Sequence, residues 1–233
     1  MKRQVWLGLG GVVLLGAGAA IGWSAKPSAL NARLYAQNRL IAVQVHLEEA
    51  PPDYILIAGD SQAELQDTAQ RTCELEIVNG GLSGATAAVY ADLFQTLKVP
   101  VRARVAALTV GTNDLNRKGD PTSTAGAARF TASVERIVRE LQAVSARVVV
   151  TAVPPIGREV GNRLDPAAVG VYSRAIRDLC QRIGCDYADP FAHLRDGDTG
   201  YALPGALRDG LHVAGYRSVQ RALEPALCPG NPG

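Results

Sequence analysis

A serine stands at a turn between an apolar run and a helical pattern in Tyr54–Gln66, YILIAGDSQAELQ. Two readings of Ser61 are open. With Glu64 three residues on, Ser61 fits a capping box, its hydroxyl accepting a backbone N–H at the helix start, and caps far outnumber nucleophiles. The same place in a strand–turn–helix unit is where several hydrolases hold an attacking hydroxyl. A serine nucleophile requires a base for its proton, an acid to orient that base, and donors for the oxyanion that forms. The chain offers 3 histidines. His46 precedes the first strand and reads as a partly exposed helical residue; His193, in Asp189-Pro190-Phe191-Ala192-His193, reads as surface structure at the start of a short helix. His212 follows Asp209 by three residues in Arg208-Asp209-Gly210-Leu211-His212, ahead of the last helical pattern. That spacing lets Asp209 bond one ring nitrogen while the other faces Ser61.

The elements that must position these residues alternate along the chain. Apolar, β-rich runs predict strands near Tyr54–Ala58, Glu74–Val78, Arg104–Val110, Val148–Ala152 and Cys185–Ala188. Helical patterns fall near Gln62–Arg71, Ala85–Leu97, Ala125–Val144, Pro166–Arg182 and Ala214–Leu223. Such alternation predicts a three-layer α/β/α fold around a central, mainly parallel five-stranded sheet. Ligands in such sheets bind beyond the carboxyl ends of the strands. Four loops reach that edge: Gly59-Asp60-Ser61, Asn79–Gly84, Gly111-Thr112-Asn113-Asp114 and Val153-Pro154-Pro155. Three of them pair glycine with a small polar group, as a hydrogen-bonding site approached closely by backbone requires.

With these residues in their order, the chain resembles the SGNH hydrolases, also called the GDSL esterase/lipase family. The matching blocks are Gly59-Asp60-Ser61, Gly84 within Asn79–Thr86, Asn113 within Gly111–Asp114, and Asp209-Gly210-Leu211-His212. The resemblance implies that Ser61 attacks an acyl carbon, His212 is its base and Asp209 orients His212. It also implies an oxyanion hole made by the backbone N–H of Ser61, the backbone N–H of Gly84 and the Asn113 amide. Asp60 would then belong to the loop structure and cap the helix in place of Ser61. Read singly, Gly84 is a turn glycine, Asn113 an Asx-turn residue and Asp209-Gly210 a plain turn. Two positions depart from the family pattern: Gln62 stands where the motif has leucine, and Val213 follows His212 where many members have proline. The α/β-hydrolase alternative fails at Ala63, which breaks G-x-S-x-G, and at Ser61 following the first strand rather than a later one.

The ends and the composition set the context. Lys plus Arg is 24 against Asp plus Glu 22, with 5% aromatic residues and no long basic run, which argues against nucleic-acid binding. After Lys2 and Arg3, residues Val5 to Trp23 are uncharged and apolar, enough to span roughly 28 Å as a helix. Residues 1–25 therefore read as a signal anchor, with a cleaved signal peptide as the alternative because Ala17-Gly18-Ala19 resembles a processing site. Gly18–Gly22 forms a GxxxG, a spacing that also arises from glycine abundance alone. Residues 26–52 read as a leading helix or stalk with Leu30, Leu34, Ile41 and Val45 on one helical face, and 53–233 as the main domain, placed outside the cytoplasm. Cys73, Cys180, Cys185 and Cys228 suit that address and predict one or two disulfides of undetermined pairing, with buried free thiols as the alternative.

Hydrolysis of carboxylic esters is the activity the resemblance implies, with no metal or organic cofactor. Short loops without a lid segment predict an open cleft for small acyl groups, among them acetyl groups on carbohydrate. Arg117, Lys118, Arg158 and Arg163 border the rim, either attracting a polar substrate or serving as solvated loop charge. An acyltransferase with the same acyl-enzyme, and a non-catalytic glycan-binding envelope protein, are the alternatives.

Overall fold

The computed structural model describes residues 32–66, 68–69 and 71–228. The apolar segment Met1–Trp23 and Leu30 lie outside the described residues. Among those described, no helix is long and apolar enough to cross a membrane.

The strands are β1 (Ile55–Gly59), β2 (Ile77–Gly81), β3 (Val105–Thr109), β4 (Val148–Thr151) and β5 (Asp186–Ala188). They form a 5-stranded sheet in the order β2-β1-β3-β4-β5, every pair parallel. The helices are α1 (Ala32–Glu48), α2 (Ser61–Glu64), α3 (Ala87–Phe94), α4 (Thr124–Val144), α5 (Pro166–Ile183) and α6 (Tyr216–Leu227). Successive strand residues point to opposite faces, and here both faces are covered. Leu56, Ala58, Ala106, Leu108, Val148 and Val150 pack with residues of α1, α3, α4 and α5. Ile55, Ile57, Val105, Ala107 and Val149 pack against Ala63 and against Leu223 and Leu227 of α6. Burial on both faces is why β1, β3 and β4 read as unbroken apolar runs.

Local signals delimit the helices. Thr86 and Ser123 cap α3 and α4 with their side chains. Asp165 caps α5, Pro166 fills its first turn, and Gly184 ends it in the left-handed conformation at φ 74.

Three expectations are corrected. The leading helix packs through Val43 and Leu47, both fully buried, while the expected face is open: Leu34 is 52% exposed, Ile41 70% and Val45 44%. Apolar residues occupy two stripes of α1, and periodicity alone does not choose between them. The helix expected over Gln62–Arg71 is the four-residue α2, after which the chain turns; Thr72 and Leu75 then bond each other in an antiparallel bridge. That turn, with Cys73 and Glu74 at positive φ, delays β2, so Ile77 rather than Glu74 begins the pairing with β1. Asn79, Gly80 and Gly81 consequently belong to the strand, not to the loop.

Both disulfides are formed, Cys73–Cys228 across 155 residues of chain and Cys180–Cys185 across 5. The first ties the turn before β2 to the end of α6, the helix that follows His212. Replacing Cys73 and Cys228 together by serine is expected to lower the unfolding free energy by about 2–5 kcal/mol. The Cys180/Cys185 double replacement should cost less, because it releases a far shorter loop. Urea titrations of the two variants against wild type check the order.

Candidate active site

β1 ends at Gly59, whose φ of 132 is open to glycine alone. A Cβ there would collide with the Thr109 carbonyl, the group that accepts the Asp60 N–H at 3.0 Å. The chain thus leaves the sheet pressed against β3 and enters α2 at once. Asp60 is fully buried and caps α2: its Oδ1 accepts from Gln62 N–H at 2.9 Å. Its Oδ2 accepts from Thr112 N–H at 3.2 Å, joining the loops after β1 and β3. Burial drives the Asp60 carboxyl up to about 7; the Gln62 N–H pulls it back, Asp114 pushes it further and Thr112 again lowers it.

Because Asp60 is the cap, Ser61 is not, and the capping box does not form. Glu64 instead accepts from Ser83 N–H and from the Tyr35 hydroxyl, each at 2.6 Å. The Ser61 hydroxyl is left to meet His212 Nε2 at 2.9 Å, across 151 residues of sequence. His212 Nδ1 lies 2.7 Å from Asp209 Oδ2, while Asp209 Oδ1 accepts from the backbone N–H of His212 at 2.8 Å and of Leu211 at 3.1 Å. Partial burial raises the Asp209 carboxyl, but the His212 ring and these two N–H groups outweigh it and hold it at about 2. An ionised carboxylate only accepts hydrogen bonds, so the ring proton sits on Nδ1 and Nε2 is free to take the serine proton. The His212 side chain is 23% exposed and that of Asp209 49%, so the site opens to solvent on the acid's side.

The loop that carries His212 is held from several directions. Arg208 N–H donates to His212 O at 2.9 Å, and the Arg208 guanidinium donates to Val213 O and Ala214 O. Gly157 N–H, from the loop after β4, donates to Gly210 O at 2.8 Å. These bonds hold the backbone on both sides of Val213.

The remaining donors lie on the loops after β2 and β3. Leu82 N–H donates to Gly59 O at 2.8 Å, which fixes the start of the β2 loop beside the Gly59-Asp60-Ser61 turn. Gly84 follows at φ 78. Asn113 begins a short 3₁₀ turn, and its amide donates one hydrogen to Ala85 O at 3.0 Å. Ser61 N–H stands at the first position of α2, where no intrahelical acceptor exists. The order 2-1-3 places this whole set where the sheet's connections reverse direction, the place at which such folds open a crevice.

The structure therefore brings Ser61, Asp209 and His212 into one hydrogen-bonded chain and ties the loops of Gly84 and Asn113 to the same edge. His46 lies exposed on α1, and His193 bonds Ser218 Oγ at 3.2 Å, outside that chain of bonds. Of the rim cations, Arg117 is paired with Asp165, and Arg158 pairs with Asp196 and lies over the Tyr201 ring. Sequence reading missed Asn79, whose amide donates to the Ala63 and Glu64 carbonyls at the end of α2 while its oxygen accepts from Gly81 N–H. An asparagine inside a strand with two glycines after it was the available signal, since that pattern marks close backbone approach.

Residues 50–217 match the model of the GDSL-like Lipase/Acylhydrolase family. No curated protein matches the chain in sequence at a significant level. Solved structures do share its fold. A Streptococcus pneumonia protein provisionally designated a platelet activating factor superposes with TM-score 0.68 at 17% identity, covering 92% of this chain and 99% of that one. A GDSL-like lipase from Bacteroides thetaiotaomicron gives 0.62 at 17% identity, with 84% and 97% covered. A catalytic mutant of an acetylxylan esterase from Geobacillus stearothermophilus gives 0.58 at 16% identity, with 76% and 95% covered.

Asp60 also makes a pH dependence. In the fold its carboxyl stays protonated up to about 7, and in the unfolded chain only to about 4. The folded state binds the extra proton between those limits, so this contribution to stability is full below about pH 4 and is lost as pH rises through about 7. Asp114, which burial lifts to about 6, acts in the same direction. Between about pH 5 and about pH 8, wild type is expected to lose on the order of 1–3 kcal/mol more stability than Asp60→Asn. Urea unfolding of both proteins at the two pH values is the check.

Proposed function

The chain belongs to the GDSL-like lipase/acylhydrolase family and is an ester-hydrolysing serine hydrolase; from that premise we propose that Ser61 is its nucleophile and that it removes small acyl groups, acetyl on carbohydrate foremost. The observation that carries the reading is the unbroken chain from Asp209 through His212 to the Ser61 hydroxyl, with links of 2.7 and 2.9 Å.

In this mechanism His212 Nε2 takes the Ser61 proton as Oγ attacks the acyl carbon. Asp209 holds the ring tautomer and balances the imidazolium charge. The oxyanion of the tetrahedral intermediate meets the N–H of Ser61, the N–H of Gly84 and the free amide hydrogen of Asn113. Collapse breaks the ester bond, and the proton on His212 leaves with the alcohol. Water then attacks the acyl-serine, again giving its proton to His212, and the carboxylic acid departs as Ser61 is regenerated.

The choice of a small acyl group rests on the similarity to an acetylxylan esterase fold. The two disulfides support an address outside the cytoplasm, and the apolar leading segment supports attachment to a membrane there.

A fluorophosphonate probe is expected to label wild type and leave Ser61→Ala unlabelled. Ser61→Ala and His212→Ala should each lower turnover of 4-nitrophenyl acetate on the order of 10⁴-fold. Asn113→Ala should lower kcat by about 10²–10³-fold with little change in KM. Rates across nitrophenyl esters of increasing chain length should fall beyond the shortest acyl groups. Labelling of Ser61→Ala at the wild-type rate would overturn the assignment.

A further inference from the structure

The residue after the nucleophile is polar yet fully buried: Gln62 occupies the place where the family motif has leucine. Its amide is used at both ends. Nε2 donates to Leu211 O at 2.7 Å, and Oε1 accepts from the Tyr216 hydroxyl at 2.9 Å. Leu211 immediately precedes His212. Tyr216 opens α6 just after it, and its ring is buried with Phe191, Val213 and Val219. One side chain on the nucleophile helix therefore grips the segment carrying the base on both sides of His212. A leucine would leave the Leu211 carbonyl without this donor and the buried Tyr216 hydroxyl without this acceptor, a cost that keeps Gln62 and Tyr216 together.

We propose that Gln62, with Tyr216, is a positioning residue that keeps His212 in place while Ser61 is acylated, an inference that rests on Ser61 being the nucleophile. The physical need is specific to that stage. In the free enzyme the Ser61 hydroxyl itself bonds His212 Nε2 and helps to seat the ring. In the acyl-enzyme that oxygen carries no hydrogen, so the bond is gone just when His212 must take a proton from water. The Gln62–Leu211 and Gln62–Tyr216 bonds do not involve the reacting oxygen and persist through both half-reactions. The clamp thus acts more on deacylation than on acylation.

Gln62→Met keeps the length and volume of the side chain and removes both bonds; Tyr216→Phe removes a single hydroxyl. With 4-nitrophenyl acetate, Gln62→Met is expected to lower kcat by about tenfold or more, with KM falling alongside it, the mark of slowed deacylation. The fraction of enzyme trapped as acetyl-enzyme by acid quench should rise, while the rate of fluorophosphonate labelling, which requires only attack by Ser61, should drop by less than about threefold. Tyr216→Phe should shift the same quantities in the same direction by a smaller factor. The double variant should be no worse than Gln62→Met within about twofold, because the two side chains form one unit.

Cooperative thermal unfolding of each variant shows that folded protein is compared; if Gln62→Met does not fold, Tyr216→Phe carries the same kinetic comparison. Loss of turnover and of labelling by equal factors, turnover within about twofold of wild type, or multiplying effects in the double variant would each overturn the clamp. Ser61→Ala distinguishes the levels. An inert Ser61→Ala beside a wild-type-like Gln62→Met removes the clamp alone, whereas an active Ser61→Ala removes the proposed function beneath it.

Discussion

A serine at the start of a helix is drawn to cap it, and a hydroxyl spent on a cap is not a nucleophile. Everything at this site depends on the hydrogen bond from Gln62 N–H to the buried Asp60 carboxylate, which fills the cap and releases Ser61. The bond exists because Gly59 lets the chain turn against β3 and because Thr112 N–H holds the other carboxylate oxygen. Burying that carboxyl is unfavourable for its charged form, and the fold accepts this to hold two loops with one side chain. Function here is a constraint on which residue satisfies which backbone donor.

From that constraint the remaining architecture follows as a set of cross-links between loops. The sheet delivers the ends of β1, β2 and β3 side by side, but strands alone leave their loops free to splay. Leu82 to Gly59, Thr112 to Asp60, Asn113 to Ala85 and Gln62 to Leu211 join each loop to a neighbour. Glu64 extends the same logic outward, tying the β2 loop at Ser83 to Tyr35 of α1. The leading helix is thereby part of the support of the site. These bonds hold the loops in fixed relation to one another, which is the condition the proposed oxyanion donors require.

Much of this was legible from residue order alone. The strands β1, β3 and β4 are apolar on both faces and flanked by turns, so their places and the parallel sheet follow directly. Ser61, Gly84 and Asn113 follow β1, β2 and β3 in the order expected, and Asp209 and His212 precede the last helix as expected. Less was legible wherever the outcome depended on partners distant in the chain. The late start of β2 comes from the Thr72–Leu75 bridge and the disulfide at Cys73, neither of which leaves a periodic trace. The buried face of α1 was chosen by Val43 and Leu47 meeting the core, not by the stronger-looking stripe of Leu34, Ile41 and Val45. Gln62 looked like a damaged motif position; only the proximity of Leu211 and Tyr216 shows what its amide does.

In the proposed reaction Ser61 carries the acyl group during turnover. Mixing the enzyme with 4-nitrophenyl acetate, quenching in acid within the first turnovers and locating the acetyl group by peptide mass spectrometry tests it directly. One acetyl group is expected, on Ser61, forming before steady state and vanishing when substrate is exhausted. Sustained ester hydrolysis with no acetyl on Ser61, or with a transient acetyl group on another residue, would contradict it.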